Sequence, residues 1–198
     1  MHQKIKKKFE KTLLEEVRSL RLGNGLDPTT DVGPLVNKAA QEKVSRYVEI
    51  GESEGAKLLT GGRISDNLKG WFFEPTLFTN CTSEMRIAQE EIFGPVVSLI
   101  SATDLTDAID IANSVEYGLS SSIYTNNIKS AFTAINKLQA GLTYVNSSTI
   151  GSEAHLPFGG VKQSGNTRED GLEGMREFTE LKTVYIDYSE KLQKNVIE

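Results

Sequence analysis

The sequence predicts an α/β fold, a mostly parallel sheet flanked by helices, and two observations carry that expectation. Short apolar or β-branched runs at "VVSLIS", "LSSSIYT" and "LTYVN" alternate with stretches of helical periodicity. Parallel neighbours need a long crossover between them, usually a helix, so strand, helix, strand, helix, strand is the order such a sheet requires. The 198 residues, 38% of them hydrophobic, are enough to fill one core, and neither an internal repeat nor a low-complexity tract interrupts the order.

The elements follow along the chain. Ile5, Phe9, Leu13, Val17 and Leu20 fall on one helical stripe, which ends at Gly23-Asn24-Gly25. The basic run Lys4, Lys6, Lys7 and Lys8 alternates around that stripe and reads as its wet face. "LDPTTDVGPL" has the Asp, Pro, Thr and Gly of an ordered connecting loop. A second helix begins near Asn37, with Ala40, Val44, Tyr47 and Val48 inward, and fades between Gly51 and Gly55. "AKLLT" is a short strand. "GWFFEPTLFT" has strand composition, although Pro75 lacks a donor and implies an edge or a bend. The run from Val96 reads as a strand covered on both faces. Thr103 or Asp104 can cap a helix bearing Leu105, Ala108, Ile109 and Ala112. After "LSSSIYT", a helix from Asn127 to Leu138 places Ala131, Ile135 and Leu138 on one face, Gly141 stops it, and "LTYVN" follows. Residues 146–171 are glycine-rich and aperiodic, and a loop of that length inside a domain is more often functional than filler. A short helix near Leu172 to Phe178, the strand "KTVYIDY" and a charged tail close the chain.

Composition excludes several function classes. A net charge of -5, from 27 acidic and 22 basic residues, provides no broad cationic field for nucleic acid or an anionic membrane. No window reaches the roughly 18 apolar residues of a membrane span, and no secretory signal core is present, so a cytoplasmic protein is expected. One cysteine, Cys81, excludes an intrachain disulfide, and two histidines cannot build a Cys/His zinc site; no metal is expected.

"EEIFGPVVSL" and "LPFGGVKQSG" carry a resemblance. Together with "LGNGLDPTTDVGPL", "GWFFEPTLFTN", "NSVEYGLSSSIYTNN" and "AGLTYVN", in that order and spacing, they resemble the aldehyde dehydrogenase superfamily from about Ile5 to Tyr188. Members oxidise an aldehyde to an acid with NAD or NADP, through a cysteine thiohemiacetal, hydride transfer and hydrolysis of a thioester. The resemblance implies that Glu91 holds hydroxyls of the nicotinamide ribose and that Phe93 packs beside the nicotinamide ring. A carboxylate accepts two hydrogen bonds from a vicinal diol, and an aromatic wall fixes the ring that receives hydride. It places Phe158 near the aldehyde tunnel, with a loop-anchoring role as the structural alternative. It sets Arg168 and Glu180 near the subunit interface as a charge pair ordering the return loop, against the alternative of two exposed charges.

The same resemblance makes residues 1–182 the C-terminal part of a catalytic domain and 183–198 an oligomerisation strand and tail. The N-terminal dinucleotide-binding domain, the nucleophilic cysteine and the general-base glutamate are then expected outside these residues, leaving the chain inactive alone and cofactor binding by it doubtful. Cys81 aligns with a connector, has no basic neighbour in sequence to lower its pKa, and is not assigned as nucleophile. Gly159 and Gly160 suit close backbone approach, Lys162 reads as solvated, and pocket-facing and turn-stabilising roles stay open for Asn146 and Glu153. "NSSTIGSEAHLPFGG" is similar to the branch acting on semialdehydes of carboxylic acids, such as the α-ketoglutaric semialdehyde enzymes. A homo-oligomer is expected, dimer or tetramer. The alternatives are a non-catalytic oligomeric scaffold, or half of a split enzyme completed by an N-terminal half on a separate chain.

Overall fold

A computed structural model describes residues 1–191. After a 3-10 turn at Gln3–Ile5 come α1 (Lys6–Ser19), α2 (Lys38–Ser53), β1 (Lys57–Thr60), β2 (Thr76–Cys81), α3 (Arg86–Gln89) and β3 (Val96–Ile100). The second half adds α4 (Leu105–Asn113), β4 (Tyr117–Gly118), β5 (Ser120–Ile123), α5 (Ile128–Lys137), β6 (Leu142–Val145), β7 (Val161–Lys162) and α6 (Gly171–Glu177). The class is mixed α/β, but the strands form three small sheets rather than one. In the first, β2 lies between antiparallel β1 and parallel β3; β5 and β6 form a parallel pair, and β4 and β7 an antiparallel one.

Local chemistry explains the helix starts. The side chains of Asn37, Asp104 and Asn127 accept from the backbone amides of Ala40, Asp107 and Ser130, satisfying donors that the first turn of α2, α4 and α5 leaves free. From α2, Gln41, Val44, Val48 and Gly51 point inward at helical spacing. They meet Phe73, Phe78, Cys81, Ile87 and Ile92 in the main hydrophobic cluster. Gln41 is buried beside these apolar side chains because its amide donates to the Phe72 carbonyl at 2.9 Å. Four consecutive residues of β2, Thr76 to Thr79, are buried, so both faces of that strand are covered. On one side lies α1, whose Lys6 ammonium donates to Asn80 Oδ1 at 2.6 Å and whose Glu10 accepts from the Thr79 hydroxyl.

Several expectations change. Pro75 marks neither an edge nor a bend within a strand. It immediately precedes β2, the central strand, where its missing donor breaks no ladder bond. The strand covered on both faces is β2 rather than β3, in which Leu99 alone is buried and Val97 is exposed. Cys81 is not in a connector; it ends β2, buried. On α5 the buried pair is Ala131 and Ala134, with Ile135 exposed. No residue of α1 is buried, and Ile5, Phe9 and Leu20 of its stripe stay exposed.

Residues 182–188 form no strand. An extended segment needs a partner edge for its backbone groups, and among the described residues no strand pairs with this one. The assignment of 183–198 as oligomerisation strand and tail lies in part outside the described residues, from 192 onward. Among the described residues no helix is long and apolar enough to cross a membrane, and no three His, Cys, Asp or Glu side chains gather as a metal site.

Candidate functional site

The corner between α3 and β3 is built by a chain of local constraints. Arg86 and Glu90 stand one turn apart, the spacing at which opposite charges meet. The guanidinium grips the carboxylate with both arms, Nε at 2.8 Å and Nη2 at 2.9 Å, and the Tyr47 hydroxyl donates to the same carboxylate at 2.6 Å. These donors, Arg86 first, pull the Glu90 pKa down to about 2. The same contacts raise the pKa of Arg86 and of Tyr47, in each case chiefly through the bond with Glu90. Across the ring of Tyr47, Lys43 and Arg86 both sit 5.7 Å from its centroid. The Lys43 ammonium donates to the Glu91 carbonyl at 2.6 Å, and the Arg86 backbone amide to Glu54 at 2.8 Å.

Beyond Glu90 the side chain of Ile92 is buried and anchors the corner in the main cluster. Phe93 then takes a left-handed backbone conformation, φ 57°, which an aromatic residue adopts only when its surroundings impose it. Gly94 follows against Val44, so closely that a β-carbon there would collide with a Val44 methyl group. The Pro95 carbonyl accepts from the Thr76 amide at 2.8 Å and ties the corner to β2.

The outcome is a held backbone with free side chains. Glu91 is exposed, and among the described residues its carboxylate takes no hydrogen bond. Phe93 is 75% exposed. The two face different clefts. Glu91 lines one of about 530 Å3, with Gln89, Asn113, Ser120, Ser122 and Ser164 among its other walls. Phe93 lines an apolar one of about 500 Å3 with Leu35, Val36, Phe73 and Pro95.

Phe158 belongs to neither. Half-buried, it pairs with Glu169 through two backbone hydrogen bonds, 2.7 Å and 2.6 Å, that close the glycine-rich loop on itself. Close approach is realised: a β-carbon on Gly160 would strike Ser164, and one on Gly141 the Gly159 carbonyl. A third cleft, of about 700 Å3, opens beside this loop between Tyr144, Ile150, Glu153, Pro157 and Arg168.

Arg168 and Glu180 do not pair in this chain. The guanidinium of Arg168 donates to the Gly160 and Thr167 carbonyls, both at 2.8 Å, so it orders the loop by itself, while Glu180 is exposed on the extended tail. Lys162 is not simply solvated; its ammonium donates to the carbonyls of Asn113 and Val115 at 2.7 and 2.9 Å, at the C-terminal end of α4. The side chain of Asn146 accepts from the Thr125 amide at 2.8 Å and donates to its carbonyl at 3.0 Å, the turn-stabilising arrangement. Burial raises the pKa of Cys81, against smaller opposing contributions from Ser98, Leu99 and Lys6, and so disfavours its thiolate.

Lys43, Tyr47, Arg86 and Glu90, which hold the corner, escape a sequence reading except for the Arg86–Glu90 spacing. Tyr47 and Glu90 lie far apart in sequence and meet only because α2 packs on α3.

The sequence model of the aldehyde dehydrogenase family matches residues 1–184. Betaine aldehyde dehydrogenase of Brucella anthropi is 40% identical over 190 residues, a match spanning 94% of this chain and 39% of that protein. Aldehyde dehydrogenase 1A1 of Bos taurus is 44% identical over 191 residues, spanning 96% and 38%. Among solved structures, betaine aldehyde dehydrogenase from Staphylococcus aureus in complex with NAD+ superposes with a TM-score of 0.86 at 40% identity, over 89% of this chain and 36% of that one. An aldehyde dehydrogenase from Bacillus cereus superposes with a TM-score of 0.89 at 39% identity, over 93% and 37%. The chain thus spans under two fifths of the length of these relatives.

Proposed function

The chain belongs to the aldehyde dehydrogenase family, and from that premise we propose that it is the C-terminal part of the catalytic domain of an NAD(P)-dependent enzyme oxidising an aldehyde to a carboxylic acid. The observation that carries this reading is the corner at residues 90–95, where the backbone is locked while a carboxylate and an aromatic ring are left free. Those residues fit a nicotinamide cofactor. Glu91 would accept from a ribose diol and Phe93 would flank a flat ring, and the cofactor when bound supplies the hydride acceptor. The role of Lys43, Tyr47, Arg86 and Glu90 is to hold the backbone that carries that carboxylate.

Alone, the chain has no nucleophile to offer, because its single cysteine is buried with a raised pKa, and no aldehyde oxidation by it is expected. Semialdehydes are the narrower substrate class, on the resemblance carried by residues 146–160. Assembly into a homo-oligomer is favoured by the exposed Val184, Tyr185, Ile186 and Tyr188 of the tail, and a cytoplasmic setting suits the acidic composition.

A graft tests the reading. Residues 1–191 replace the matching C-terminal part of the Staphylococcus aureus enzyme, and aldehyde-dependent reduction of NAD+ and of NADP+ is followed by absorbance. Activity in the graft that falls at least tenfold with Glu91→Ala, beside none in the isolated chain, is the expected result. A folded graft that binds neither dinucleotide contradicts it.

A further inference from the structure

The first part of the glycine-rich loop is fastened at both ends and barely held between them. It leaves β6 at Asn146, whose amide donates to the Ile123 carbonyl at 2.8 Å, and the Ser122 hydroxyl donates to the Ser147 carbonyl at 2.6 Å. Farther on, the Leu156 amide donates to the Glu153 carbonyl at 2.8 Å and the Gly171 amide to the Ala154 carbonyl at 3.1 Å. Among the described residues, those from 148 to 152 take part in one hydrogen bond. In it the Tyr144 hydroxyl of β6 donates across to the Gly151 carbonyl at 2.7 Å.

Gly151 is matched to that bond. Its φ of 88° lies where L side chains rarely go, yet a β-carbon on it would meet open space. Glycine is therefore required here by the backbone and not by a neighbour. The conformation that needs it is the one that presents the carbonyl to Tyr144.

The bond spans the cleft of about 700 Å3 beside this loop. Leu142 and Tyr144 line it from β6, and Ile150, Ser152 and Leu156 line it from the loop. Ile150 lines the cleft while 88% exposed, so it stands at the open rim. Neither Glu91 nor Phe93 lines this cleft, which sets it apart from the cofactor corner. One hydroxyl thus joins the strand side of the cleft to the middle of a loop that has no other tie.

We propose that Tyr144 is a positioning residue for the aldehyde side of the reaction. Its hydroxyl latches Gly151, and through it holds Ile150 and Ser152 in one arrangement at the rim of the cleft, so that the loop offers a single shape to an incoming aldehyde. This rests on the reading of residues 146–160 as the part of the chain that determines the aldehyde taken, and it deepens that reading by naming the atom that fixes their shape.

The test is nuclear magnetic resonance relaxation on the full chain, with and without Tyr144→Phe, which removes the hydroxyl and keeps the ring. The amide order parameter of Gly151 is expected above about 0.8 in the parent and below about 0.6 in the variant, with Phe158 and Glu169 unchanged. Gly151→Ala, with the hydroxyl intact, is expected to loosen Ile150 and Ser152 as well. In the graft onto the Staphylococcus aureus enzyme, Tyr144→Phe is expected to raise the KM for the semialdehyde 4-oxobutanoate about fivefold, the factor one neutral hydrogen bond supplies, with kcat and the KM for NAD+ changed less than about twofold. A Gly151 that stays ordered without the hydroxyl overturns the proposal. So does disorder that spreads to Phe158 and Glu169, which marks a general packing role. An unchanged KM for 4-oxobutanoate beside a disordered Gly151 overturns it too, because the latch then has no part in selecting the aldehyde. A folded graft that is inactive before any substitution contradicts the proposed function instead, and the order parameters of Gly151 then decide the latch.

Discussion

The region around β2 and the region after residue 145 obey opposite rules. In the first, Val44, Leu77, Phe78 and Phe73 are at most 1% exposed, and the Pro95 carbonyl and the Thr76 amide tie β2 to the corner before β3. In the second, Ile150, Phe178, Leu181 and Tyr185 are each at least 88% exposed, and the glycine-rich stretch is held by a few bonds such as the Phe158–Glu169 pair. Large apolar side chains are thus covered in one place and bare in the other. What differs is whether the described residues supply a covering surface.

Removing a side chain from each region should separate them most clearly. Phe78→Ala leaves a cavity in the main cluster and should cost about 3–5 kcal/mol in urea denaturation. Tyr185→Ala should leave the stability of the monomer within about 0.5 kcal/mol and act only on self-association, read by sedimentation. A smaller loss is expected at the corner that borders the buried region. Gly94→Ala drives a methyl group into Val44 and should cost about 1–3 kcal/mol, while also loosening the position of Phe93. Replacing a cap, Asn37→Ala or Asn127→Ala, should cost about 1 kcal/mol each.

The smallest effect is electrostatic. Glu90 titrates near 2 when folded against 4.5 ordinarily, so the unfolded chain takes up its proton first as pH falls. Its contribution is therefore fully present above pH 4.5 and is lost between 4.5 and about 2. Glu90→Gln should flatten acid destabilisation in that window and leave stability above it nearly independent of pH.

Much of the buried region was legible because its signals are local. Asn37, Asp104 and Asn127 announce helix starts, and Val44 and Val48 lie at helical spacing. Short or distant features were not. With four residues, α3 is too brief for periodicity, and β4 and β7 have two each. Ala134 rather than Ile135 faces inward because α5 packs closely, a matter of tertiary distance that hydrophobicity ranks the wrong way. The corner was legible from "EEIFGPV" through resemblance, whereas its supports on α2 depend on how two helices pack. The strand expected at 182–188 carries the right residues, but strand formation is a property of two edges and one sequence describes only its own.

Limited proteolysis of the purified chain, with the cut sites read by mass spectrometry, tests most directly whether the two regions differ as described. First cuts within residues 146–157 and 178–191, leaving a resistant fragment that holds α1 through β6, are the predicted result. Early cuts within α2 or β2, or a tail at 178–191 that resists at low protein concentration, would contradict it.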